Sequence, residues 1–597
     1  KDQSGLMTME SEDSETDCGD TIKSKTSMWS EVSDNEDVDG ESLVSEYHEA
    51  KEEEGSIVEV TANEGDDDDE SVDDLDEEAL YRLQQYGSTD PHDKEGGGRI
   101  RRLSRRMSDQ LVRRSSSMQE ALPKTPSGWA IFSSCLATCA LGYEISVQRK
   151  LTKPPVTMGQ IAPGSAVGEI YSKMSKNAGS ILTRNIQPSL FVGTRGKISS
   201  TAAYLFGGPS STEKHLRFRE IIKMSQGGAK LAIDWEIPVD GQRRSTKSKD
   251  ELRNEILDGP ILDPVVILIH GINNDASFGY MQSLARSFSD RGWNAASMNM
   301  RGCGGIEMTT PRGYNAAYTG DLRNLVHHIS GRLSKDAPLF LVGNSLGAAI
   351  LTKYLGEEGL SGTLPACVSG AASHGNPISI NSDLVEFPFN VVMGLGVKKM
   401  VLSHWKSFKR MIMSDSEFKS AFRTALLSST IAKFDRAVAP YLQRNQSFYP
   451  YADRIGFKDG EAYWREGSSF RLVRHIPVPY LFLTARDDFL VKEPSRNKLG
   501  YLVSNPNVLV VETRCGGHLG WQESPPETDS RFGSTSWADA AASDFFESIM
   551  QVNMERSGSR VDTHAPSDGV GVWTPFEKDP SVAKMMKEEA IAESKML

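Results

Sequence analysis

The sequence predicts an α/β fold with a mostly parallel central sheet, helices on both faces and a helical cap insertion. Between about residues 185 and 550, short apolar runs of strand length alternate with helix-length segments, which is typical of parallel sheets. The predicted strands are residues 229–235, 265–269, 295–300, 339–342, 368–371, 480–484 and 508–511. Residues 377–470 interrupt this alternation with helical spacing rich in Phe, Met and Lys. An insertion of this length predicts a cap over the carboxyl edge of the sheet.

Charge divides the chain into three unlike parts. The 597 residues carry a formal charge of −14, yet residues 1–98 alone hold 33 acidic and 6 basic side chains. Such a segment cannot bury enough apolar surface to offset the entropy lost on ordering, so it predicts a disordered acidic tail. Residues 99–127 form a basic linker with a net charge of +6, and the remainder is mildly basic. The polar residues 553–597 predict a flexible C-terminal tail.

Composition excludes several classes of protein. With 38% apolar residues and a mean hydropathy of −0.41, the chain does not fit a multi-span membrane protein. Its six cysteines include no C-x-x-C pair, which argues against a disulfide scaffold, a zinc ribbon or a thioredoxin-like site. The acidic start of the sequence is unlike a signal peptide, so we expect an intracellular protein, and we expect no nucleic acid as a partner. The sequence starts at Lys1, which leaves room for a preceding targeting segment.

A short apolar segment, residues 128–147, follows the basic linker. It opens with 16 uncharged residues, GWAIFSSCLATCALGY, and then includes Glu144. A helix of that length spans about 24 Å, less than the roughly 30 Å hydrocarbon core of a bilayer. Three interpretations stay open: a short membrane anchor, a helix in the membrane interface, or a helix packed on the domain. The adjacent arginines favour an anionic leaflet, so we expect a membrane surface as a partner and a membrane-associated protein.

The basic linker contains the pattern Arg-Arg-x-Ser three times, ending at Ser104, Ser108 and Ser116. Basophilic kinases accept this pattern, so the three serines are possible phosphorylation sites and such a kinase is a possible partner. Each phosphate adds about −1.5 to −2 charge units, and three would roughly cancel the charge of the linker. The alternative is a basic linker without regulation.

Residues 343–347 match the pattern G-x-S-x-G, with Ser345 at its centre. The pattern alone is weak, but its context strengthens it, because a predicted strand runs into it and a helix-forming run follows it. A tight strand-to-helix turn would raise the Ser345 hydroxyl above the sheet edge, beside the positive end of the helix dipole. Ser345 is therefore the predicted nucleophile.

A serine nucleophile needs a base and a carboxylate that orients the base. His518 is the predicted base, because it lies in a glycine-rich loop directly after the last predicted strand. Asp487 and Asp488 follow strand 480–484, and the spacing to the small apolar Val491 favours Asp488 as the acid. The resulting order, Ser–Asp–His, is that of the α/β-hydrolases.

The tetrahedral oxyanion of such a reaction needs two N–H donors. One is predicted to be Leu346, the residue after the nucleophile. The other should come from the loop after strand 265–269, where Ile272 is favoured and Asn273 is the alternative. His270 in the same loop is interpreted as a structural residue.

Five stretches carry a resemblance to a known family by their order and spacing. They are His270-Gly271, NMRGCGG at 299–305, TGDL at 319–322, GNSLGA at 343–348 and GGH at 516–518. Together they resemble the AB-hydrolase YheT-like family, which includes the EMB8-like proteins of plants and the animal abhydrolase-domain proteins 1 and 3. The resemblance covers about residues 185–550.

This resemblance implies an α/β-hydrolase fold, a triad at Ser345, Asp488 and His518, and hydrolysis of carboxylic esters or phospholipids. Many animal members have an N-terminal membrane anchor, similar in placement to the apolar segment. The chain departs from the family in its acidic tail and its Arg-Arg-x-Ser block. It also lacks a segment similar to N-G-H-x-Q-T near residues 188–200.

The sequence therefore predicts a serine hydrolase that cleaves carboxylic esters, with acyl lipid or phospholipid esters as substrates, through an acyl-enzyme. It implies no metal or organic cofactor. Two alternatives stay open. One is an acyltransferase that uses the same triad with an alcohol in place of water. The other is a membrane-tethered adaptor without enzymatic activity, whose working surface lies in the acidic tail.

Overall fold

The computed structural model describes residues 125–559 apart from eight short gaps. The gaps are residues 162–163, 177–179, 209–213, 225–228, 240–243, 445–455, 492–496 and 524–535. The predicted acidic tail, nearly all of the basic linker with Ser104, Ser108 and Ser116, and residues 560–597 lie outside the described residues. All described residues belong to one compact unit, Leu122–Leu597.

Nine strands of the described part form one mixed sheet. They are β1 (Val156–Gly159), β2 (His215–Lys223), β3 (Lys230–Pro238), β4 (Val265–Ile269), β5 (Asn294–Asn299), β6 (Leu339–Asn344), β7 (Val368–His374), β8 (Tyr480–Ala485) and β9 (Val508–Thr513). The strand order is β1-β9-β8-β7-β6-β4-β5-β3-β2. Strands β4 to β9 pair in parallel, whereas β1, β2 and β3 pair antiparallel at the two edges. The prediction of a mostly parallel sheet is confirmed.

Fourteen α-helices occur in the described residues. They are α1 (Pro126–Leu151), α2 (Ala166–Lys176), α3 (Gly196–Phe206), α4 (Lys249–Asp258), α5 (Gly279–Ser289), α6 (Gly320–Ser330), α7 (Leu346–Ser361), α8 (Phe389–Ser403), α9 (Trp405–Ser414), α10 (Ser416–Leu427), α11 (Ile431–Val438), α12 (Gly460–Gly467), α13 (Leu499–Val503) and α14 (Trp537–Ser559). Helices α4, α6, α7 and α13 cover one face of the sheet, and α2, α3, α5 and α14 cover the other.

The central strand β4 shows why these residues form a buried parallel sheet. Its sequence, VVILI, is fully buried, as expected for a strand with helices on both faces. Ile267 packs in the apolar cluster on one face, and Val266 and Leu268 pack in the cluster on the other face. A continuous apolar run is therefore the signature of the core strands, and all seven predicted strands overlap observed ones.

The two strands that the sequence does not predict both lie at a sheet edge. Strand β1 has no buried residue and β2 has two. Each of these strands is hydrogen-bonded to a neighbour on one side only. An edge strand of this kind needs fewer apolar residues than a central strand, so its sequence has only a weak apolar pattern.

The hydrolase fold is longer at both ends than the predicted range of residues 185–550. Helix α2 packs its apolar face, including Ile170 and Met174, into the same cluster as α14, and β1 pairs with β9. Helix α14 continues to Ser559, so the first part of the predicted flexible C-terminal tail is helical. These additions were not predicted because α2 and β1 are short and flank segments without a clear pattern.

Helix α1 contains the predicted apolar segment. Residues 133–143 are exposed, and the helix contacts the domain through its C-terminal part. There the buried Glu144 accepts hydrogen bonds from Arg195 at 2.6 Å and from the Phe191 N–H at 3.1 Å. The hydrogen bond from Arg195 holds the pKa of Glu144 below its usual value. Among the described helices, none combines the length and apolar character needed to cross a membrane.

The cap lies between β7 and β8, as predicted. It contains α8 to α12, and two 3-10 turns, Ala439–Tyr441 and Phe470–His475, which follow α11 and α12. Its own small apolar cluster is built on phenylalanines from α9, α10 and α11, together with Met308 from the domain below. The cap is therefore a helical layer with a thin core that rests over the carboxyl edge of the sheet.

Candidate active site

The predicted nucleophile, Ser345, lies at the sharp turn between β6 and α7. Its backbone has φ 53° and ψ −121°, a conformation that non-glycine residues rarely adopt. The turn needs glycine on both sides. A Cβ on Gly343 would lie 2.6 Å from the Ala348 Cα, and one on Gly347 would lie 2.5 Å from the His270 carbonyl oxygen. The structure thus explains the two glycines of the motif by close backbone contact.

Ser345, His518 and Asp488 form a chain of hydrogen bonds. The Ser345 Oγ lies 2.8 Å from the His518 Nε2, and the His518 Nδ1 lies 2.9 Å from the Asp488 Oδ2. All three side chains are buried. This geometry suits a serine hydroxyl that donates to an imidazole, whose other N–H donates to a carboxylate. The fold brings the three together from the ends of β6, β9 and β8.

The two neighbouring aspartates have different surroundings. The second carboxylate oxygen of Asp488 accepts hydrogen bonds from the N–H groups of Leu490 at 2.9 Å and Val491 at 3.0 Å. Asp487 instead accepts from the Gly517 N–H at 2.8 Å. Burial raises the pKa of Asp487 above its usual value. The structure therefore brings Asp488, and not Asp487, to the imidazole of His518.

The two predicted oxyanion donors lie on either side of the nucleophile turn. Leu346 is the first residue of α7, and the loop with Ile272 lies against Ser345, since a Cβ on Gly271 would come within 3.1 Å of the Ser345 Cβ. Within the described residues, neither the Leu346 N–H nor the Ile272 N–H has an intramolecular acceptor. The alternative, the Asn273 N–H, already donates to the Tyr314 hydroxyl at 2.9 Å. Ile272 therefore fits the second donor better than Asn273.

His270 holds this loop in place. Its Nδ1 lies 2.7 Å from the Gly271 carbonyl oxygen, and its Nε2 accepts from the Met300 N–H at 3.1 Å. Burial lowers the pKa of His270 to about 4, so the ring is neutral at physiological pH. These contacts agree with the structural role predicted for His270.

Helix α3 supports the loop that carries His518, which the sequence does not predict. The His518 N–H donates to the Ser200 Oγ at 2.7 Å, and the Ser200 hydroxyl donates to the Gly196 carbonyl oxygen at 2.7 Å. A Cβ on Gly517 would lie 2.1 Å from that same carbonyl oxygen. The supporting residues are more than 300 positions from His518 in the sequence, and they belong to no motif that could have indicated them.

A buried ion pair links the site region to the cap. Arg301 donates to both carboxylate oxygens of Asp321 at 2.6 Å, and its remaining N–H group donates to Gln443 at 2.9 Å. Asp321 lies in the first turn of α6, and Gln443 lies in the cap segment after α11. The pair positions the cap over the sheet and does not touch Ser345 or His518.

Two cavities lie near the nucleophile turn and share lining residues. The larger, of about 1410 Å³, is open to solvent, contains Ser345 and His518 in its wall, and is bounded by α3, α8 and α9. The smaller, of about 100 Å³, lies beneath the cap and is walled by Leu346, Phe418 and Phe422. Ile272 lines both cavities. Of the predicted oxyanion donors, Ile272 therefore borders both cavities, and Leu346 borders the smaller one.

Comparisons with known proteins agree with this fold. Residues 266–529 match the model of the family described as "Alpha/beta hydrolase family". Embryogenesis-associated protein EMB8 of Picea glauca is 29% identical over 58% of this chain and 70% of its own length. Phospholipase ABHD3 of Mus musculus is 24% identical over 60% of this chain and 78% of its own length. Monoacylglycerol lipase of Saccharomyces cerevisiae is 27% identical over 43% of this chain and 55% of its own length.

The fold and the matched family define the class of protein, a carboxylic ester hydrolase of the lipase and esterase type. Within that class, the chain has the α/β-hydrolase fold and is similar to the EMB8-like and abhydrolase-domain proteins. The resemblance, the fold class and the enzyme class that the sequence predicted are confirmed.

Proposed function

We propose that the protein hydrolyses acyl lipid esters through Ser345, His518 and Asp488, with a covalent acyl-enzyme. The observation that most directly supports this proposal is the hydrogen-bonded chain Ser345–His518–Asp488 in the wall of an open cavity. Lipid ester hydrolysis is also supported by relatives named monoacylglycerol lipase and phospholipase ABHD3.

In the first half of the reaction, the Ser345 Oγ attacks the ester carbonyl carbon while the His518 Nε2 takes the hydroxyl proton. Asp488 accepts from the Nδ1–H, holds the reactive tautomer and stabilises the imidazolium that forms. The N–H groups of Leu346 and Ile272 donate to the oxyanion. His518 then gives its proton to the leaving alcohol, the C–O bond breaks, and the acyl group remains on Ser345.

In the second half, a water molecule enters where the alcohol has left. His518 takes a proton from this water as it attacks the acyl carbon, and the same two N–H groups stabilise the second oxyanion. The bond to the Ser345 Oγ then breaks, the serine regains its proton from His518, and the carboxylic acid is released.

The walls of the two cavities favour an acyl lipid as the substrate. The open cavity is lined by apolar side chains of α3 and α8, including Leu205, Val392 and Met393. The smaller cavity is walled mainly by aliphatic and aromatic side chains, including Phe418, Val397 and Met400. Burial of an alkyl chain against such walls is worth about 0.8 kcal/mol per methylene.

The test is hydrolysis of acyl esters of graded chain length, of monoacylglycerol and of phospholipid by the purified protein. We expect turnover, and we expect Ser345→Ala to lose about 10³-fold or more in kcat while it stays folded by circular dichroism. A fluorophosphonate probe should label the wild type and not Ser345→Ala. Labelling that survives this substitution, or a wild type that turns over none of these esters, contradicts the proposal.

A further inference from the structure

The opening of the active-site cavity is bordered on the cap side by a helix with an exposed apolar face. Helix α8 exposes Val392, Leu395 and Leu402, with relative exposures of 59%, 57% and 52%. Separations of three and seven residues place these side chains on one face of the helix. Val392 lines the cavity, so this face begins at its rim.

The opposite border of the opening is also apolar. Helix α3 ends with Leu205 and Phe206, which are 60% and 67% exposed. Leu205 lines the same cavity as Val392. The first turn of α3 contacts α8, where the Lys197 Nζ lies 5.6 Å from the centre of the Phe389 ring. Leu205 lies about 12 Å further along α3. Exposed apolar side chains grouped around one opening mark an interaction site.

Positive charge accompanies this border. Helices α8, α9 and α10 contain seven Lys and Arg residues and one acidic residue. Four of the basic side chains are exposed on α8 and α9: Lys399, Lys406, Lys409 and Arg410. Two carboxylates, Asp275 and Glu307, also line the cavity, so the positive charge is concentrated on its cap side.

We propose that this opening is a docking face for an anionic lipid surface. We define the docking face as Val392, Leu395, Leu402, Leu205 and Phe206 with the four basic residues of α8 and α9. The apolar side chains enter the boundary between headgroups and acyl chains, and the lysines and Arg410 contact the headgroup phosphates. An exposed apolar face flanked by cations is complementary to such a surface.

The docking face adds a route of substrate entry to the proposed function, and only this route rests on that function. If the substrate is an acyl lipid, a docked opening lets the ester pass from the bilayer into the cavity without exposing its acyl chain to water. The geometry of the border and its charge do not depend on that activity.

Other exposed leucines of the domain serve as controls, because single exposed apolar residues are normal on protein surfaces. Leu360 is 58% exposed, close to the exposure of the α8 leucines. It lies near the end of α7, about 21 Å along the helix from Leu346, and therefore far from the opening.

The experiment uses the full chain and vesicles of phosphatidylcholine with and without phosphatidylserine. We expect the wild type to sediment with the vesicles that contain phosphatidylserine and more weakly with the neutral ones. We expect Leu395→Asp/Leu402→Asp to lower this binding by about tenfold or more. Lys409→Glu/Arg410→Glu should lower binding to the anionic vesicles alone. None of these four residues lines the cavity, so hydrolysis of a soluble short-chain ester should stay unchanged.

Matched variants keep the comparison specific. Leu360→Asp makes one such Leu→Asp change, and Lys249→Glu/Lys335→Glu reverses two positive charges, at exposed positions elsewhere. We expect both to bind as the wild type does. Helix α1 and the basic linker are present in every variant. A second measurement, the ratio of vesicle-borne to soluble ester hydrolysis, therefore reports on the opening itself, and it should fall about tenfold in Leu395→Asp/Leu402→Asp.

Three outcomes overturn the docking face: unchanged vesicle binding and an unchanged hydrolysis ratio in the α8 variant, an equal loss in Leu360→Asp, or no preference for phosphatidylserine. A protein that docks as described but cleaves no ester would overturn the proposed function and leave the docking face standing.

Discussion

The parallel core and the cap bury their apolar residues in opposite ways. In the core, β4 and β6 are buried along their whole length, and both faces of the sheet are covered. In the cap, α8 buries only Gly394 and Val401, and α9 buries only Phe408. The apolar residues of the core are buried by packing, whereas several apolar residues of the cap are exposed at the surface.

This difference indicates separate tasks for the two regions. Close packing around the turn at Ser345 leaves little room for movement, so the core holds the reacting groups in one geometry. The thin cluster of the cap leaves its outer face free to contact something other than the protein. Substitutions that act on one region and not on the other test this division.

The largest effect is expected in the core, at the nucleophile turn. Gly347→Ala would place a Cβ 2.5 Å from the His270 carbonyl oxygen, and the backbone must move to relieve this contact. We expect a loss of about 2–3 kcal/mol in the free energy of unfolding and of about 100-fold in kcat/KM. Urea unfolding and ester hydrolysis measure the two quantities.

Gly500→Ala is the control for this substitution. Gly500 lies in helix α13, and a Cβ there would meet no atom within 4 Å. Alanine should stabilise the helix by about 0.5–1 kcal/mol and leave activity unchanged. A Gly347→Ala protein that behaved in the same way would contradict the tight packing of the turn.

The next effect concerns the support of His518 by α3. Ser200→Ala removes the acceptor of the His518 N–H, at a cost of about 1–3 kcal/mol. If Ser200 positions His518, kcat should fall by about ten- to a hundredfold while KM changes little. Thr424→Ala is the control. It removes a hydroxyl that donates to the Ser420 carbonyl oxygen within the same cap helix, and it should leave kcat unchanged. A Ser200→Ala protein with lower stability but normal kcat would assign it a purely structural role.

A smaller, pH-dependent effect is expected at Asp539, in the first turn of α14. Burial raises the pKa of Asp539 from its ordinary 3.8 to about 7, although Ser283 donates a hydrogen bond to it at 2.7 Å. Between about pH 4 and pH 7 the folded protein retains a proton that the unfolded chain releases. Wild-type stability therefore falls over this range as pH rises, and stays lower above it.

Asp539→Asn should remove this loss. We expect the variant to gain on the order of 1–3 kcal/mol over the wild type at pH 8, and much less at pH 4, by urea unfolding at both pH values. Asp258→Asn, on the exposed end of α4, controls for the change to an amide. A gain that did not depend on pH would contradict the role of the buried carboxyl.

The smallest effects compare helix N-caps in the two regions. The Ser248 side chain caps α4 in the domain, and the Asp415 side chain caps α10 in the cap. Replacing either with Ala should cost about 1 kcal/mol. We expect Ser248→Ala to lower the stability of the whole domain, and Asp415→Ala to speed hydrogen exchange mainly within α8 to α10. Equal effects on the whole protein would show that the cap unfolds together with the core.

Much of the core could be predicted because its signals are local. A fully buried strand needs a continuous apolar run, which is why residues 265–269 match β4 at both ends. The turn at Ser345 needs two glycines and a helix directly after it, and these lie within a few residues of each other. The choice of Asp488 over Asp487 followed from the spacing to Val491, whose N–H donates to Asp488.

Other features could not be predicted because their partners are distant in the sequence. Strand β1 joins β9 across about 350 residues, and Ser200 joins His518 across 318. Neither β1 nor α3 has a strong apolar pattern in its own sequence, because each is stabilised by the distant segment that it packs against. The docking face likewise depends on α3 and α8 bordering one cavity.

The sequence by itself determined the class of fold, the parallel strands and the three residues that form the hydrogen-bonded chain. Each of these depends on local rules: apolar periodicity, a strained turn that tolerates only glycine nearby, and the order of loops after successive strands. The tertiary structure alone decided which helix supports His518, how the cap borders the cavity, and where apolar and basic side chains share one surface. These depend on contacts between segments whose separation in the chain carries no information about their distance in space.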